Sequence, residues 1–195
     1  MSSNRIILVT GGARSGKSSF ALEATSGIPG QRAYIATAEA LDKEMSERIE
    51  QHKKQRGKGW DTYEEPINIG DLIGDLGNRY NVIVLDCLTL WLSNIMAGAQ
   101  NSEDSTRITE TEISRLLESL KRFCNFSGNG QRAAGTSSLL LVSNEVGMGI
   151  VPGDETARKF RDLAGFLNRK IAEHADEVYI VVAGIPLKIK GKGEK

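Results

Sequence analysis

Short apolar runs recur along the chain, and segments with helical periodicity separate them. Continuous apolar runs bounded by turn residues are typical of strands that are buried in a parallel sheet. Four such strands are predicted, at residues 6–9, 32–37, 80–85 and 139–142. A fifth stretch, residues 177–189, predicts two strands around Gly184 that form an antiparallel C-terminal edge.

The segments between these runs carry apolar residues at the spacing of an α-helix. Helices are predicted at residues 18–24, 41–58, 67–76, 87–96, 109–126 and 154–175. Thr109 and Glu112 suggest a capping box at the start of the fifth of these helices. The alternation of strands and helices predicts an α/β fold, a mostly parallel sheet flanked by helices, in a single domain that spans residues 1–195.

Three polar segments lack a strand or helix pattern. Residues 100–106 are predicted to be a loop, and residues 127–138, rich in Gly, Ser and Ala, a mobile surface loop. The lysine-rich tail at residues 188–195 is predicted to fray.

Residues 11–18 read GGARSGKS and lie between the first predicted strand and the first predicted helix. They fit the phosphate-binding motif G-x-x-x-x-G-K-S/T in the context that the motif requires. Glycines let successive backbone N–H groups converge on one anion, and the helix N-terminus adds a positive end. Lys17 is expected to reach the β- and γ-phosphates, and Ser18 to bind Mg²⁺.

Polar residues also follow later predicted strands. Thr37, Ala38 and Glu39 come at the carboxyl end of the second strand, where ligands gather in a parallel sheet, although an ordinary loop explains them equally well. Asp86 ends the third strand and is a candidate to lie beside the Mg²⁺ of the phosphate loop. Asn144 follows the fourth strand in a similar position.

His52 lies on or beside the apolar stripe of the helix predicted at residues 41–58, and basic residues follow it closely. One interpretation is a semi-buried packing residue near a basic helix end. The other is a nucleophile or acid–base imidazole, because nearby cations favour its neutral form and hold a triphosphate against it. The local pattern leaves both interpretations open.

Composition narrows the choice of partners. The chain has 25 basic and 25 acidic side chains, so neither nucleic acid nor an anionic membrane is an expected general partner. Two cysteines without CxxC spacing favour a reducing, cytoplasmic setting. No predicted segment has the length or apolarity of a signal peptide or a membrane span.

Several strings together resemble one family, and they run in order over residues 6–190: VTGGARSGKS, YIATAE, ERIEQHKKQR, VLDCLTLWLSN, VSNEVGMGIVP and ARKFRDLAGFLNRKIAEHADEVYIVVAGIPLKIK. The family is the bifunctional adenosylcobinamide kinase/adenosylcobinamide-phosphate guanylyltransferase of cobalamin biosynthesis. The resemblance implies a RecA-like P-loop nucleotide-binding fold and a homotrimer. It also implies two reactions: phosphorylation of adenosylcobinamide by ATP or GTP, then GMP transfer from GTP through a guanylyl-histidine, which matches His52.

The resemblance further implies nucleotide contacts, in addition to the catalytic roles of His52 and Lys17. These contacts correspond to Gly11, Gly12, Ala13, Arg14, Ser15, Gly16, Lys17, Ser18, Thr37, Ala38, Glu39, Lys53, Lys54, Gln55, Arg56, Glu64 and Asp86. Three alternatives stay open: a plain P-loop small-molecule kinase with a structural His52, a nucleotide-dependent switch or motor, and an enzyme that keeps only one activity.

Overall fold

The computed structural model describes residues 4–100, 104–125 and 137–191. Seven strands form one sheet: β1 (Arg5–Gly11), β2 (Arg32–Ala36), β3 (Asp61–Glu64), β4 (Val82–Asp86), β5 (Ser138–Val142), β6 (Glu177–Val182) and β7 (Ile185–Lys190). The helices are α1 (Lys17–Ala24), α2 (Lys43–Arg56), α3 (Ile69–Leu76), α4 (Leu88–Gly98), α5 (Ser105–Asn125) and α6 (Glu155–His174).

The strand order is β3-β2-β4-β5-β1-β6-β7. All pairs are parallel except β6 with β7, which are antiparallel. The predicted mostly parallel sheet and its antiparallel C-terminal edge are therefore confirmed. The carboxyl ends of β1, β2, β4 and β5 meet at one edge of the sheet, the edge at which ligands bind in folds of this kind.

Alternation along the strands divides the core into two layers, one on each face of the sheet. In β1, Ile6 and Leu8 point to the layer that α3, α5 and α6 cover, together with most of α4. Ile7 and Val9 point to the opposite layer, where Ala21 of α1 packs. The helix α2 differs from these, since none of the residues Lys43–Arg56 is buried.

Strand β3 was not predicted. It has only four residues, lies at the edge of the sheet beside β2, and exposes three of its side chains to solvent. Because only Tyr63 of this strand packs against the core, and that residue is only half-buried, its sequence DTYE carries no apolar run.

The start of α5 was predicted four residues too late, and the capping box is wrong. Thr109 lies within the helix, where its hydroxyl donates to the carbonyl of Ser105 at 3.0 Å. Glu112 pairs instead with Arg115 at 2.9 Å. The polar first turn hid the beginning of the helix, because apolar periodicity begins only where α5 meets the core.

Two of the predicted irregular segments can be compared with the structure only in part. The surface loop predicted at 127–138 lies outside the described residues, apart from Ser137 and Ser138, which are buried. The predicted frayed tail is wrong for residues 188–190, which belong to β7. There the Lys188 ammonium forms an ion pair with Glu177 of β6 at 2.9 Å. A charged lysine on an edge strand also discourages the addition of a further strand.

Each helix in the described ranges is too short or too polar to cross a bilayer.

Candidate active site

The phosphate-binding loop joins β1 to α1 and is held against the turn between β6 and β7. Gly11 has φ +147 and Gly16 has φ +97, in the region that favours glycine. A Cβ on Gly11 would collide with the carbonyl oxygen of Val181, so this position also needs glycine for space. The N–H of Gly184 donates to the carbonyl of Ser15 at 2.9 Å and fixes the loop from the other side.

Lys17 opens α1, and its side chain folds back over the loop. The residue is only 6% exposed, and its ammonium donates to the carbonyl of Gly12 at 2.5 Å. Burial lowers the pKa of Lys17, and Arg48 lowers it further, against the opposing effects of Cys87 and Asp86. A phosphate oxygen in this loop would supply the negative partner that the buried ammonium lacks.

Asp86 ends β4, and its carboxylate collects three side chains. Its Oδ2 accepts a hydrogen bond from the Tyr34 hydroxyl at 2.6 Å and lies 3.4 Å from Nδ1 of His52. Burial raises the pKa of Asp86, but contacts from His52, Tyr34 and Ser18 outweigh it and hold the pKa below its usual value. The carboxylate is therefore charged at neutral pH.

Helix α2 brings His52 to this carboxylate. The Asp42 carboxylate caps the helix by accepting from the N–H of Met45 at 2.7 Å, and the helix ends at Gly57 with φ 67. His52 follows Arg48 by one turn, so both side chains lie on the same face. The imidazole is 31% exposed, which leaves part of the ring accessible from the cavity.

Two further side chains hold α2 against the sheet. The Arg56 guanidinium lies 4.0 Å from the centre of the Tyr34 ring, a cation–π contact. The Lys53 ammonium pairs with the Glu64 carboxylate at the end of β3 at 3.0 Å. Nη1 of Arg56 is also buried without a hydrogen-bond partner among the described residues, an arrangement that suits an anion in the adjacent cavity.

These elements enclose a cavity of about 460 Å³ at the carboxyl edge of the sheet. Ten of the residues predicted for the site line it: Arg14, Ser15, Gly16, Lys17, Ser18, Ala38, His52, Gln55, Arg56 and Asp86. The structure therefore brings residues of the phosphate loop, the end of β2, the helix α2 and the end of β4 into one concave surface. Gly11, Gly12 and Ala13 belong to the same loop but do not line the cavity.

Five other predicted residues do not line the cavity: Thr37, Glu39, Lys53, Lys54 and Glu64. Thr37 is fully buried, and its hydroxyl donates to the carbonyl of Cys87 and accepts from the N–H of Cys87, both at 2.8 Å. This pair of bonds ties the end of β2 to the residue after β4. Nucleotide contacts stay predictions for these five residues, as they do for the residues that line the cavity.

Sequence reasoning missed Tyr34 and Arg48, both of which line the cavity. Periodicity could have found Arg48, because it precedes His52 by four residues on one helix. Tyr34 shares a face of β2 with Ala36, which also lines the cavity, but no site residue was predicted within that strand to point to either of them. Asn144 was named only as a candidate by position, and it lines the cavity, with its amide donating to the Thr89 hydroxyl at 2.8 Å.

Ser18 and Asp86 supply oxygen ligands of the kind that Mg²⁺ prefers. Within the described ranges, no group of three or more His, Cys, Asp or Glu side chains could hold a metal. Mg²⁺ that binds together with a nucleotide commonly takes one or two protein ligands and fills its shell with phosphate oxygens and water, and Ser18 and Asp86 both line the cavity.

A model of a known protein family matches almost the whole chain. The family model described as cobinamide kinase / cobinamide phosphate guanyltransferase (CobU) matches residues 7–189. The chain is 42% identical over 189 residues to the bifunctional adenosylcobalamin biosynthesis protein CobU of Escherichia coli K12, covering 95% of this chain and 99% of that protein. It is 38% identical over 187 residues to the protein CobP of Pseudomonas aeruginosa, covering 95% and 97%.

Solved structures add evidence on the fold. An ATPase of a bacterial type III secretion system matches with a TM-score of 0.53 and 13% identity, covering 95% of this chain and 57% of the ATPase chain. The assembled secretion ATPase EscN matches with a TM-score of 0.50 and 13% identity, covering 91% and 42%. At this identity the likeness concerns the fold alone, which is RecA-like with a phosphate-binding loop.

Proposed function

The chain belongs to the family of cobinamide kinases / cobinamide phosphate guanyltransferases, and from that premise we propose that one cavity carries out both reactions. In the first, ATP or GTP phosphorylates the hydroxyl of adenosylcobinamide. In the second, GTP transfers GMP to that phosphate through a guanylyl-His52 intermediate, giving adenosylcobinamide-GDP and pyrophosphate in cobalamin biosynthesis. Both reactions belong to a single domain.

The observation that carries this proposal is that His52 and Lys17 line the same cavity. A triphosphate whose far end lies in the glycine loop points its near end along the cavity towards α2. The loop would bind the β- and γ-phosphates through backbone N–H groups and the N-terminus of α1. Lys17 exchanges its bond to the Gly12 carbonyl for the phosphates.

Guanylyl transfer requires a nucleophile at the α-phosphorus. His52 is the only histidine of the described residues that lines the cavity, since His174 ends α6. A neutral imidazole attacks phosphorus without first losing a proton, and holding it beside the bound nucleotide removes much of the entropic cost of the encounter. Lys17 stabilises the charge that develops on the departing pyrophosphate.

Phosphoryl transfer to the corrinoid uses the same loop and a different acceptor. Ser18 and Asp86 would hold Mg²⁺, which neutralises charge on the transferring phosphates when it is bound. A cavity of about 460 Å³ suits a nucleotide, so the bulk of a corrinoid lies outside it and only the reacting arm enters. Asn144, at the cavity wall after β5, is a candidate to meet that arm.

We also propose a homotrimer in the cytoplasm. Support for assembly comes from the free edge strand β7, where Ile185, Leu187 and Ile189 share one face and each is more than half exposed. A contiguous exposed apolar face of this kind marks a surface for contact with another protein chain. Support for a reducing compartment comes from Cys87 and Cys124, which are both free thiols.

Incubation with α-labelled GTP tests the two-reaction proposal, with the label followed in the absence of corrinoid. Wild type is expected to acquire an acid-labile, base-stable label, as a phosphoramidate would. The chain offers a matched control, because it has only two histidines. His174→Ala should label like wild type, and His52→Ala should not label at all. An unlabelled wild type that still phosphorylates adenosylcobinamide would make the protein a plain kinase.

A further inference from the structure

One carboxylate oxygen joins His52 to a tyrosine on the neighbouring strand. Oδ2 of Asp86 accepts from the Tyr34 hydroxyl at 2.6 Å, and the same oxygen lies 3.4 Å from Nδ1 of His52. Tyr34 belongs to β2 and Asp86 to the adjacent β4, in a register that pairs Tyr34 with Val84 and Ala36 with Asp86. The three side chains therefore form a chain of contacts from the buried Tyr34, through Asp86, to His52 on the helix α2.

We propose that Tyr34 is a positioning residue for guanylyl transfer, which acts through Asp86 to hold Nδ1 of His52, and that Nε2 of His52 attacks the nucleotide. This inference rests on the function proposed above for the same cavity. It adds a residue to the reaction and assigns the atom that forms the bond.

The Tyr34 hydroxyl is well placed to fix the carboxylate, because the ring itself cannot move freely. Tyr34 is 3% exposed. Its ring meets the Trp60 ring edge-on with centroids 6.1 Å apart, and the Arg56 guanidinium lies 4.0 Å from its centre. A short hydrogen bond from such a donor restricts the Asp86 carboxylate to one orientation, as outer hydrogen bonds orient the groups that act directly.

The orientation of His52 follows from the position of Asp86. A neutral imidazole carries a hydrogen on one ring nitrogen and a lone pair on the other. A hydrogen on Nδ1 faces the carboxylate, so the lone pair lies on Nε2, on the far side of the ring. A hydrogen on Nε2 would instead turn the nucleophilic lone pair of Nδ1 towards an anion.

The reaction balances with this assignment. The Nε2 lone pair forms a bond to the α-phosphorus of GTP as the bond from that phosphorus to the bridging oxygen breaks. The bridging oxygen takes the electron pair and leaves with pyrophosphate. The Nδ1 hydrogen stays on the ring, and the positive charge that the imidazole gains lies beside the Asp86 carboxylate, which stabilises it.

The contact between His52 and Asp86 is longer than the usual N–H···O hydrogen bond, at 3.4 Å. Contacts of this kind often tighten when the substrate binds, because the loaded site fixes the participating groups. Both His52 and Tyr34 use Oδ2 of the carboxylate. The arrangement therefore does not require Oδ1 for either contact.

Tyr34→Phe tests the positioning role because it removes only the hydroxyl and keeps the ring that packs on Arg56 and Trp60. The rate constant for guanylyl-enzyme formation should fall about tenfold, the usual scale for losing an orienting hydrogen bond. The KM for GTP should change little, and the phosphorylation rate should fall clearly less than guanylyl-enzyme formation, because in phosphorylation Asp86 would hold Mg²⁺ but does not orient a nucleophile. Tyr63→Phe is the matched control, since it removes a part-buried hydroxyl from β3 that bonds Tyr80 at 2.8 Å, and it should react like wild type.

The linkage of the guanylyl-enzyme tests the assigned atom. Phosphorus–nitrogen couplings of the ¹⁵N-histidine-labelled intermediate should place the phosphorus on Nε2. A linkage to Nδ1, or equal losses in both half-reactions of Tyr34→Phe, would overturn this inference while leaving the two-reaction proposal intact. Full guanylyl-enzyme formation by Tyr34→Phe would overturn it as well. A wild type that acquires no label would remove the proposed function and this inference with it.

Discussion

The phosphate loop and the helix α2 meet at one cavity, but the fold holds them in different ways. The loop is continuous with the interior strand β1, its Lys17 is 6% exposed, and a Cβ at Gly11 would collide with the backbone of β6. Helix α2 buries none of its residues Lys43–Arg56 and is held by side-chain contacts from His52, Lys53 and Arg56. The loop is therefore anchored to the sheet at both of its ends, whereas the proposed nucleophile, His52, is carried by a surface helix.

This difference suits an enzyme that carries out two reactions in one nucleotide-binding cavity. The phosphates need a rigid cradle in both reactions, because preorganised N–H groups and charges lower the barrier without rearrangement. In the proposed mechanism the His52 imidazole acts in only one reaction, and it later makes room for a second substrate. A helix with few buried contacts opens at low free-energy cost, and it can approach or leave the nucleotide while the cradle stays fixed.

The largest effect that separates the two regions is expected for His52→Ala. Guanylyl transfer should fall by about four orders of magnitude or more, because the covalent route is lost. Phosphorylation of adenosylcobinamide should persist, since the cradle is intact. The measurement is the steady-state rate of each half-reaction, assayed separately. Equal losses in both would assign His52 to the fold or to substrate binding.

Lys17→Met is expected to act on both half-reactions together. Removing one charged donor from a developing anion typically costs about 10²–10³-fold in rate, and both reactions develop charge on the same phosphates. Rates of guanylyl-enzyme formation and of phosphorylation should therefore fall in parallel. A loss confined to one reaction would mean that the two reactions use different phosphate positions.

Lys17→Met is also expected to change the thermal stability of the protein, by an amount that depends on pH. Burial lowers the pKa of Lys17 from 10.5, so at neutral pH the folded protein carries the full cost of a buried charge. Lys17→Met should therefore unfold at an equal or higher temperature than wild type near pH 7. As the pH rises from the lowered pKa towards 10.5, folded Lys17 loses its proton before the unfolded residue does, and wild type gains stability relative to the variant.

Thermal unfolding of both proteins across this pH range measures the effect. Taking the difference between the two proteins cancels the titration of groups that they share. An excess in the unfolding temperature of Lys17→Met over wild type that grows with pH would contradict the burial argument. So would a clear destabilisation of Lys17→Met at neutral pH.

The smallest effect is expected for Glu64→Gln, which removes the ion pair between α2 and the end of β3. Both side chains are substantially exposed, so the change in unfolding free energy should stay under about 0.5 kcal/mol. Guanylyl-enzyme formation and the KM for GTP should change little. A large rise in the KM for GTP would instead make Glu64 a nucleotide contact, as the family resemblance implies.

The sequence predicts the cradle well because its determinants are local. An apolar strand, glycines at fixed positions and Lys17-Ser18 all fall within a short stretch, and the structure places them as the motif requires. The buried strands β4 and β5 are predicted for the same reason, since their apolar runs reflect burial on both faces.

Other features depend on contacts that local patterns do not encode. Strand β3 contributes only the half-buried Tyr63 to the core, so DTYE has no apolar run that distinguishes it from a loop. The approach of His52 to Asp86 joins a surface helix to a strand across 34 positions, and periodicity gave only the face of the helix on which His52 lies. The role of Tyr34 depends on the strand order that places β2 beside β4, which the apolar runs alone leave undetermined.

The most direct test is a structure of the protein with Mg²⁺ and α,β-methylene-GTP, in which a carbon replaces the oxygen that leaves during guanylyl transfer. The account predicts that the β- and γ-phosphates lie in the loop at residues 11–18 and that Nε2 of His52 lies about 3–3.5 Å from the α-phosphorus, opposite the methylene carbon. A nucleotide seated in the loop with its α-phosphorus far from His52, and α2 directed away from it, would contradict the account.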